Sequence, residues 1–407
     1  PASMNSSSRA TVTRNWPALP RGARDVDAFI PVARITEALE NPGGAFRYNG
    51  RTHQYPTIKM ICWSGGNPFH HHQDLFRLEK AWQAPDTVMV TEHAWTATAR
   101  RADIVLPATT PLERDDIMMM YRERRAVYMS ALREPPGEAR NDYDIFSALA
   151  ARLGAAERFT LGRTESDWLQ VMWNDARKQF DGLPDFETFR AQGVVDADDH
   201  DAGLNFLSEF VADPDNAKLS TPSGKIEVAS RKIAGFQLPD LGATPSWTPP
   251  REWLGDAPAD MLHLISPQPN LRLHAQNDAG DASQAAKVQG REPCYLHPET
   301  AASRGVHAGD IVVLSNARGR CLAGVVLHGG IRRDCIALAT GAWMDVVHLD
   351  DGPLEVHGNP NVLTYDAGTT TLSQGNPAHT ALVRVDKWTR PVPPVTVFDG
   401  PTFVTRD

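Results

Sequence analysis

Apolar residues first crowd together at Ile58, Met60, Ile61, Cys62 and Trp63, a run too short for a helix and bounded by turn residues. That is the pattern of a strand buried on both faces. The run breaks at Ser64-Gly65-Gly66-Asn67-Pro68, and apolar positions return at helical spacing as Leu75, Leu78 and Trp82. Strand, glycine turn and helix in that order predict a corner where a ligand meets free N–H groups beyond the carboxyl end of a parallel strand. The two glycines also let main chain approach a ligand closely. The same corner occurs in α/β domains that bind nothing, so alone it defines a place and not a function.

The rest of the pattern falls around this corner. Residues 1–24 are a polar, Ser/Arg-rich lead-in. Asp27 can cap a helix whose apolar face is Phe29, Val32, Ile35 and Leu39, ending at Asn41-Pro42-Gly43-Gly44. Asn49-Gly50 predicts a tight hairpin. Residues 87–90 read as a strand, 94–101 as a short helix and 103–106 as a further strand closed by Pro107, an alternation that predicts a parallel sheet. Residues 125–130 suit an edge strand. Helices follow over 142–153, stopped by Gly154, and after a cap at Thr164 or Ser166, carrying Trp168, Leu169, Met172 and Trp173. The acidic stretch 192–201 reads as a solvated loop. Five prolines between 239 and 258 mark a boundary. Short strands follow at 262–266, 311–315, 321–327, 335–339 and 381–385, predicting a β-barrel-like domain. The fold class is therefore an α/β region with a partial parallel sheet (25–245) followed by a β-barrel domain (246–407).

Composition narrows the function. A chain of 407 residues can hold two or three domains, and its net charge of -9 excludes the broad basic face of a nucleic-acid binder. No apolar run approaches the ~20 residues of a membrane span. The start, PASMNSSSRATV, lacks the apolar segment of a signal peptide and has its first Met at Met4, so it reads as a processed chain or a piece of a longer one. Cys62, Cys294, Cys321 and Cys335 form no C-x-x-C pair and read as small apolar side chains. Successive histidines on a helix point about 100° apart, so His70, His71 and His72 cannot share one ion and are expected to hydrogen bond instead. Thr91, Glu92 and Arg114 stand where strands end; Arg114 could fork onto a phosphate, and Asp142 or Asp144 could accept from a guanine. Each would serve equally as a cap or a surface ion pair. The loop Ser266 to Gln276 holds one Arg, one His and several amides, a composition suited to a pyrophosphate.

Five collinear stretches then carry a resemblance. SGGNPFHHHQDL, TATARRADIVLPATTPLERDDI, NDYDIF, HLISPQPNLRLHAQND and TLSQGNPAHTALVRV resemble the molybdopterin oxidoreductases of the dimethyl sulfoxide reductase type, in the S- and N-oxide reductase branch. The resemblance implies a double-psi type barrel, Mo-bis(molybdopterin guanine dinucleotide) as cofactor, and oxygen-atom transfer from biotin sulfoxide, dimethyl sulfoxide or trimethylamine N-oxide, with an external electron donor. It places Asn67, His71, Thr91, Glu92, Arg114 and, for guanine, Asp144 ahead of Asp142 on the dinucleotide. Ser266, Pro267, Gln268, Pro269, Arg272, His274, Ala275 and Gln276 match a pterin and pyrophosphate loop, and Asn361 and Gln374-Gly375 match later contacts. The family's serine ligand to molybdenum and a whole α/β domain lie N-terminal to anything matched. The resemblance thus covers a C-terminal half, assigns no catalytic or metal-ligating residue, and implies that this chain alone is inactive and completed by an N-terminal half. The alternative is a non-catalytic guanine-nucleotide or partner-binding module, or a truncated inactive paralogue.

Overall fold

The computed structural model describes residues 16–20, 30–119, 125–197, 207–372, 374–377 and 380–404. Asp27 and Phe29 lie outside them, as do residues 198–201 of the acidic stretch. The chain forms two compact units, one of residues 1–27 and 106–230, the other of 28–105 and 231–407.

The second unit is built on a closed barrel. Its six strands run in the order Pro293–Leu296, Cys335–Leu338, Leu262–Ile265, Leu382–Lys387, Ile311–Ser315 and Arg320–Leu327, and the last pairs back onto the first. Two seams, 293–296 with 320–327 and 335–338 with 262–265, are parallel and the others antiparallel. Closure leaves no free edge inside the ring. Leu264, Leu296, Leu314, Leu322, Ile336 and Leu338 are fully buried. Each of the five expected strands is present to within a residue or two. The strand at Pro293–Leu296 escapes a pattern search because it is short and opens on proline. Gly324 is needed in its strand: a Cβ there would lie 2.2 Å from Cβ of Val288.

The same unit carries the corner. Met60–Ser64 pairs in parallel with Thr87–Glu92, which is the middle strand of a three-stranded sheet completed by Ile104–Pro107. The strand buried on both faces is therefore Thr87–Glu92 and not the expected one: Met60 stands on an outer strand and is 52% exposed. Leu75, Leu78 and Trp82 are buried along and just beyond the helix Leu75–Ala81, as their spacing predicts. Asn49 and Gly50 both have positive φ, the requirement of a type I′ hairpin between Ala45–Tyr48 and Arg51–Gln54. Two expected helices shrink. Val32 is exposed, and only Ile35–Glu40 is α-helical after a 3-10 turn. Of 94–101, only Ala99–Arg101 is helical, as a 3-10 turn. There the Thr96 hydroxyl accepts from Ala99 N–H, and that of Thr98 donates to Asn67. Such side-chain bonds compete with the helix ladder.

The first unit packs helices on an antiparallel sheet of Asp116–Met119, Arg125–Met129 and Val194–Asp196. Arg125–Met129 is the middle strand and not an edge. Part of the expected acidic loop is a strand, because Val194 and Val195 precede the acidic run and pair with Val127 and Ala126. Asp142–Arg152 is helical, with Gly154 at positive φ beyond it, and Thr164 caps Glu165–Gln179 in a reciprocal box with Asp167. Trp173 stacks on Phe189 at 3.7 Å in the core.

Candidate functional site

At the corner, Gly65 and Gly66 both take φ +69°, and a side chain on Gly65 would meet nothing within 4 Å. The turn is thus open on the side where a ligand would lie. Asn67 is buried beside it. Its Nδ2 donates to Glu92 at 3.4 Å, its Oδ1 accepts from Thr98, and its N–H donates to His71 Nε2 at 3.3 Å. The Ser64 and Thr91 hydroxyls bond at 2.7 Å. The Ser64–Thr91 bond ties the two strand ends together and Glu92 at the end of one of them holds the asparagine, so the structure brings Asn67, His71, Thr91 and Glu92 together.

The three histidines face three different sets of partners. His70 is buried, accepts from Ala97 N–H at 3.3 Å and stacks on Trp343. Burial first, then the charge of His71, holds its pKa down to about 3, so it is a neutral acceptor. His72 lies between Thr36 and Asp366, each at 3.3 Å. His71 stays at the mouth of the turn, its pKa lowered by partial burial and then by His72 and His274. His274 lies in the loop that follows the barrel strand Leu262–Ile265.

That loop is held from beneath by a buried charge cluster. Arg272 donates to Glu292 at 3.0 and 3.1 Å, to the carbonyls of His274 and Thr340 at 3.0 and 3.1 Å, and lies 3.6 Å from Asp278. Lys287 bridges Asp278 and Glu292 at 2.9 and 3.0 Å. With its guanidinium bonded inward, Arg272 shapes the loop and does not point a free fork at a ligand. His274 and Asn277 both take positive φ. The loop closes on main chain: a Cβ on Gly341 would lie 2.4 Å from the carbonyl oxygen of His274. Pro267, Gln268, His274 and Gln276 are exposed, Pro269 and Ala275 partly so. Ser266 Oγ is buried without a protein partner among the described residues.

Asn361 lies buried beneath this loop, donating toward Thr340 Oγ1 at 3.5 Å and accepting from Thr364 at 3.2 Å. Gln374 is buried elsewhere in the unit, accepting from Arg34 at 2.9 Å, and Gly375 O accepts from Thr369 N–H. Arg114 and Asp144 belong to the other unit. There Arg114 donates to the Thr109 carbonyl at 2.9 Å and pairs with Asp116 at 3.3 Å. Asp144 is exposed, whereas Asp142 has one buried oxygen without a partner among the described residues, as has the Thr110 hydroxyl.

Pattern reading passes over the residues that assemble the site. Trp343 donates from Nε1 to the Ala275 carbonyl at 2.9 Å and from its N–H to Asp278 at 3.1 Å. Asn359 donates to the carbonyls of Phe69 and Ala342 at 3.2 and 2.8 Å. Glu355 collects four main-chain N–H groups, those of Asp345, His357, Gly358 and Asn359. Burial still raises its pKa to about 7. The only local signal is the density of polar residues in ordinarily apolar barrel sequence.

The site is thus an open glycine turn at a strand end together with a polar loop on a closed barrel. The comparisons place it further. Residues 11–152 match the family model "Molybdopterin oxidoreductase" and residues 262–382 match "Molydopterin dinucleotide binding domain". The chain is 44% identical over 378 residues to the biotin sulfoxide reductase of Cereibacter sphaeroides, covering 91% of this chain and 50% of that protein. It is 42% identical over 382 residues to a dimethyl sulfoxide/trimethylamine N-oxide reductase of the same organism, covering 91% and 46%. It is likewise 42% identical over 387 residues to the trimethylamine-N-oxide reductase of Haemophilus influenzae, covering 92% and 47%. Among solved structures, acetylene hydratase from Pelobacter acetylenicus shares the fold with TM-score 0.61 at 19% identity, over 82% of this chain and 45% of that one. The chain belongs to the molybdopterin oxidoreductase family of the dimethyl sulfoxide reductase type, whose cofactor is Mo-bis(molybdopterin guanine dinucleotide). It spans about half the length of the curated relatives it matches.

Proposed function

We propose that this chain serves a molybdenum-dependent reductase of S- or N-oxides, of which biotin sulfoxide, dimethyl sulfoxide and trimethylamine N-oxide are the candidate substrates, by holding the molybdopterin guanine dinucleotide. The observation that carries the reading is the open Gly65-Gly66 turn joined to the barrel loop through His70 and Trp343. The fit to the cofactor rests on chemistry present in the chain. The glycine turn leaves room for a ligand, and Ser266 Oγ and one oxygen of Asp142 are buried polar atoms that a bound ligand would satisfy.

Asn67, His71, Thr91 and Glu92 would line one side of the dinucleotide. Ser266, Pro267, Gln268, Pro269, His274, Ala275 and Gln276 would line another, with Asn361, Gln374 and Gly375 as further contacts. The other unit, taken by itself, offers Arg114 to a phosphate and Asp142, in preference to the exposed Asp144, to guanine N1–H and N2–H. Arg272 acts by holding the loop. When bound, the cofactor supplies two-electron oxygen-atom transfer. The chain's own part is to bind, orient and shield it, with His70 kept neutral at its back.

The test is reduction of the three oxides by reduced viologen dye, with molybdenum measured in the same protein produced where the cofactor is made. Because the chain spans about half the length of its relatives, turnover is measured with an N-terminal half supplied; molybdenum held by that complex without turnover of any oxide would refute the reductase reading and leave the binding reading in place.

A further inference from the structure

A cavity borders the Arg34–Gln374 bond. It spans ≈ 520 Å³, open to solvent, beside the hairpin 45–54 and is lined by Arg34, Arg47, Arg251, Glu37, Asp240 and residues 368–371. That volume lies in the range of small-molecule sites.

The charges around it do not balance. Glu37 is bonded to Arg34, whose Nε also donates to Gln374 at 2.9 Å. Asp240 accepts from the N–H and hydroxyl of Thr371 at 2.7 and 3.0 Å. Arg251 lies 5.0 Å from the centre of the Tyr365 ring and donates to its hydroxyl, which is a neutral partner. Among the described residues neither Arg47 nor Arg251 has an acidic partner, in a chain whose net charge is -9. A guanidinium does not shed its proton, and its planar fork matches the two oxygens of a carboxylate. Glu37 is paired with Arg34 while Asp240 keeps its charge, so the wall carries three guanidiniums against two carboxylates, an excess that favours an anion over a neutral or cationic guest.

We propose that this cavity binds a small organic carboxylate, with Arg47 and Arg251 taking its oxygens and Arg34 fixed at the wall by Glu37 and Gln374. The inference stands on the cavity and goes beyond the cofactor reading, on which it rests only for its choice of probe.

Biotin sulfoxide, which carries a carboxylate, is titrated calorimetrically into the full chain beside its methyl ester, which does not. The acid should bind at least about tenfold more tightly than the ester and lose affinity as salt is raised. Arg47→Ala and Arg251→Ala should each weaken the acid by about tenfold, and Arg47→Lys should recover part of the loss. Circular dichroism and thermal unfolding of the same variants report whether they are folded, and should match the unaltered chain. Equal affinity for acid and ester, no binding of the acid, or unaltered acid binding by both alanine variants would overturn the proposal. Absence of guanosine diphosphate binding to the unaltered chain, with the acid still bound, would count against the cofactor reading and uphold this one.

Discussion

The imidazole of His70 lies on the indole of Trp343, ring centres 5.0 Å apart and planes 18° from parallel. This pair locks the corner to the barrel, because Trp343 also bonds Ala275 and Asp278 in the loop while His70 bonds Ala97 behind the turn. Trp343→Phe keeps a ring over His70 and removes the 2.9 Å bond to Ala275. A net hydrogen bond contributes about 1 kcal/mol, so stability should fall by about that much, and amides of residues 272–278 should exchange faster while those of the barrel strands do not. Unchanged exchange in the loop would show that Trp343 does not hold it.

The charge cluster beneath the loop makes a sharper demand. Arg272, Lys287, Asp278 and Glu292 are nearly inaccessible, with side chains 0 to 4% exposed. Lys287→Met leaves two buried carboxylates facing one guanidinium. Breaking a buried pair in this way costs about 3 to 5 kcal/mol. Denaturant unfolding should register a loss of that order, and a loss below about 1 kcal/mol would mean that water already screens the cluster.

Acid should weaken the barrel unit. Burial holds the pKa of His70 down to about 3 and, with Lys287 next in effect, that of His357 down to about 4. Both lie below the unfolded value of about 6.5, so the stability they contribute is complete above that pH and is lost as pH falls toward 4 and 3. Glu355 has the opposite sign: its pKa, raised to about 7, makes the native state hold a proton that the unfolded chain releases above about pH 4.5. Between pH 4.5 and 6.5 two histidines oppose one carboxyl, leaving a net loss of stability on acidification. Urea midpoints between pH 6.5 and 4.5 should fall accordingly, with the His70 ring signals unchanged down to pH 5. A midpoint that rises in acid, or a His70 ring titrating near 6.5, would contradict this.

The sequence makes the scaffold legible where period and punctuation agree. Leu75, Leu78 and Trp82, the Asn49-Gly50 turn, Gly154 and most barrel strands are readable because each carries a local rule. What fails is non-local. Ile58 to Trp63 looks doubly buried because composition does not reveal which strand is central, and Val194 joins a sheet through Val127, 67 positions away. The site follows the same division. Asn67, Thr91 and Glu92 can be found from the corner, but Arg272 looks like a free phosphate fork until Glu292, Asp278 and Thr340 are seen around it. Asp142 and Asp144 differ by two positions on one helix, and only burial separates them.

That last difference yields a variant pair. Asp142 has a buried oxygen with no partner among the described residues, so Asp142→Asn should weaken guanine binding by about 1.5 to 3 kcal/mol, as for a lost hydrogen bond to a charged group. Asp144→Asn, on the exposed position, should change it little. Equal effects would move the guanine contact away from this helix.

Calorimetric titration of the full chain with guanosine diphosphate beside adenosine diphosphate decides whether it holds a guanine dinucleotide as proposed. Guanosine diphosphate should bind saturably, at least about tenfold tighter than adenosine diphosphate and more weakly to the Asp142→Asn variant, because a carboxylate accepts from guanine N1–H and N2–H and finds no such pair on adenine. Equal affinity for the two nucleotides, or no binding of either, would contradict the proposal.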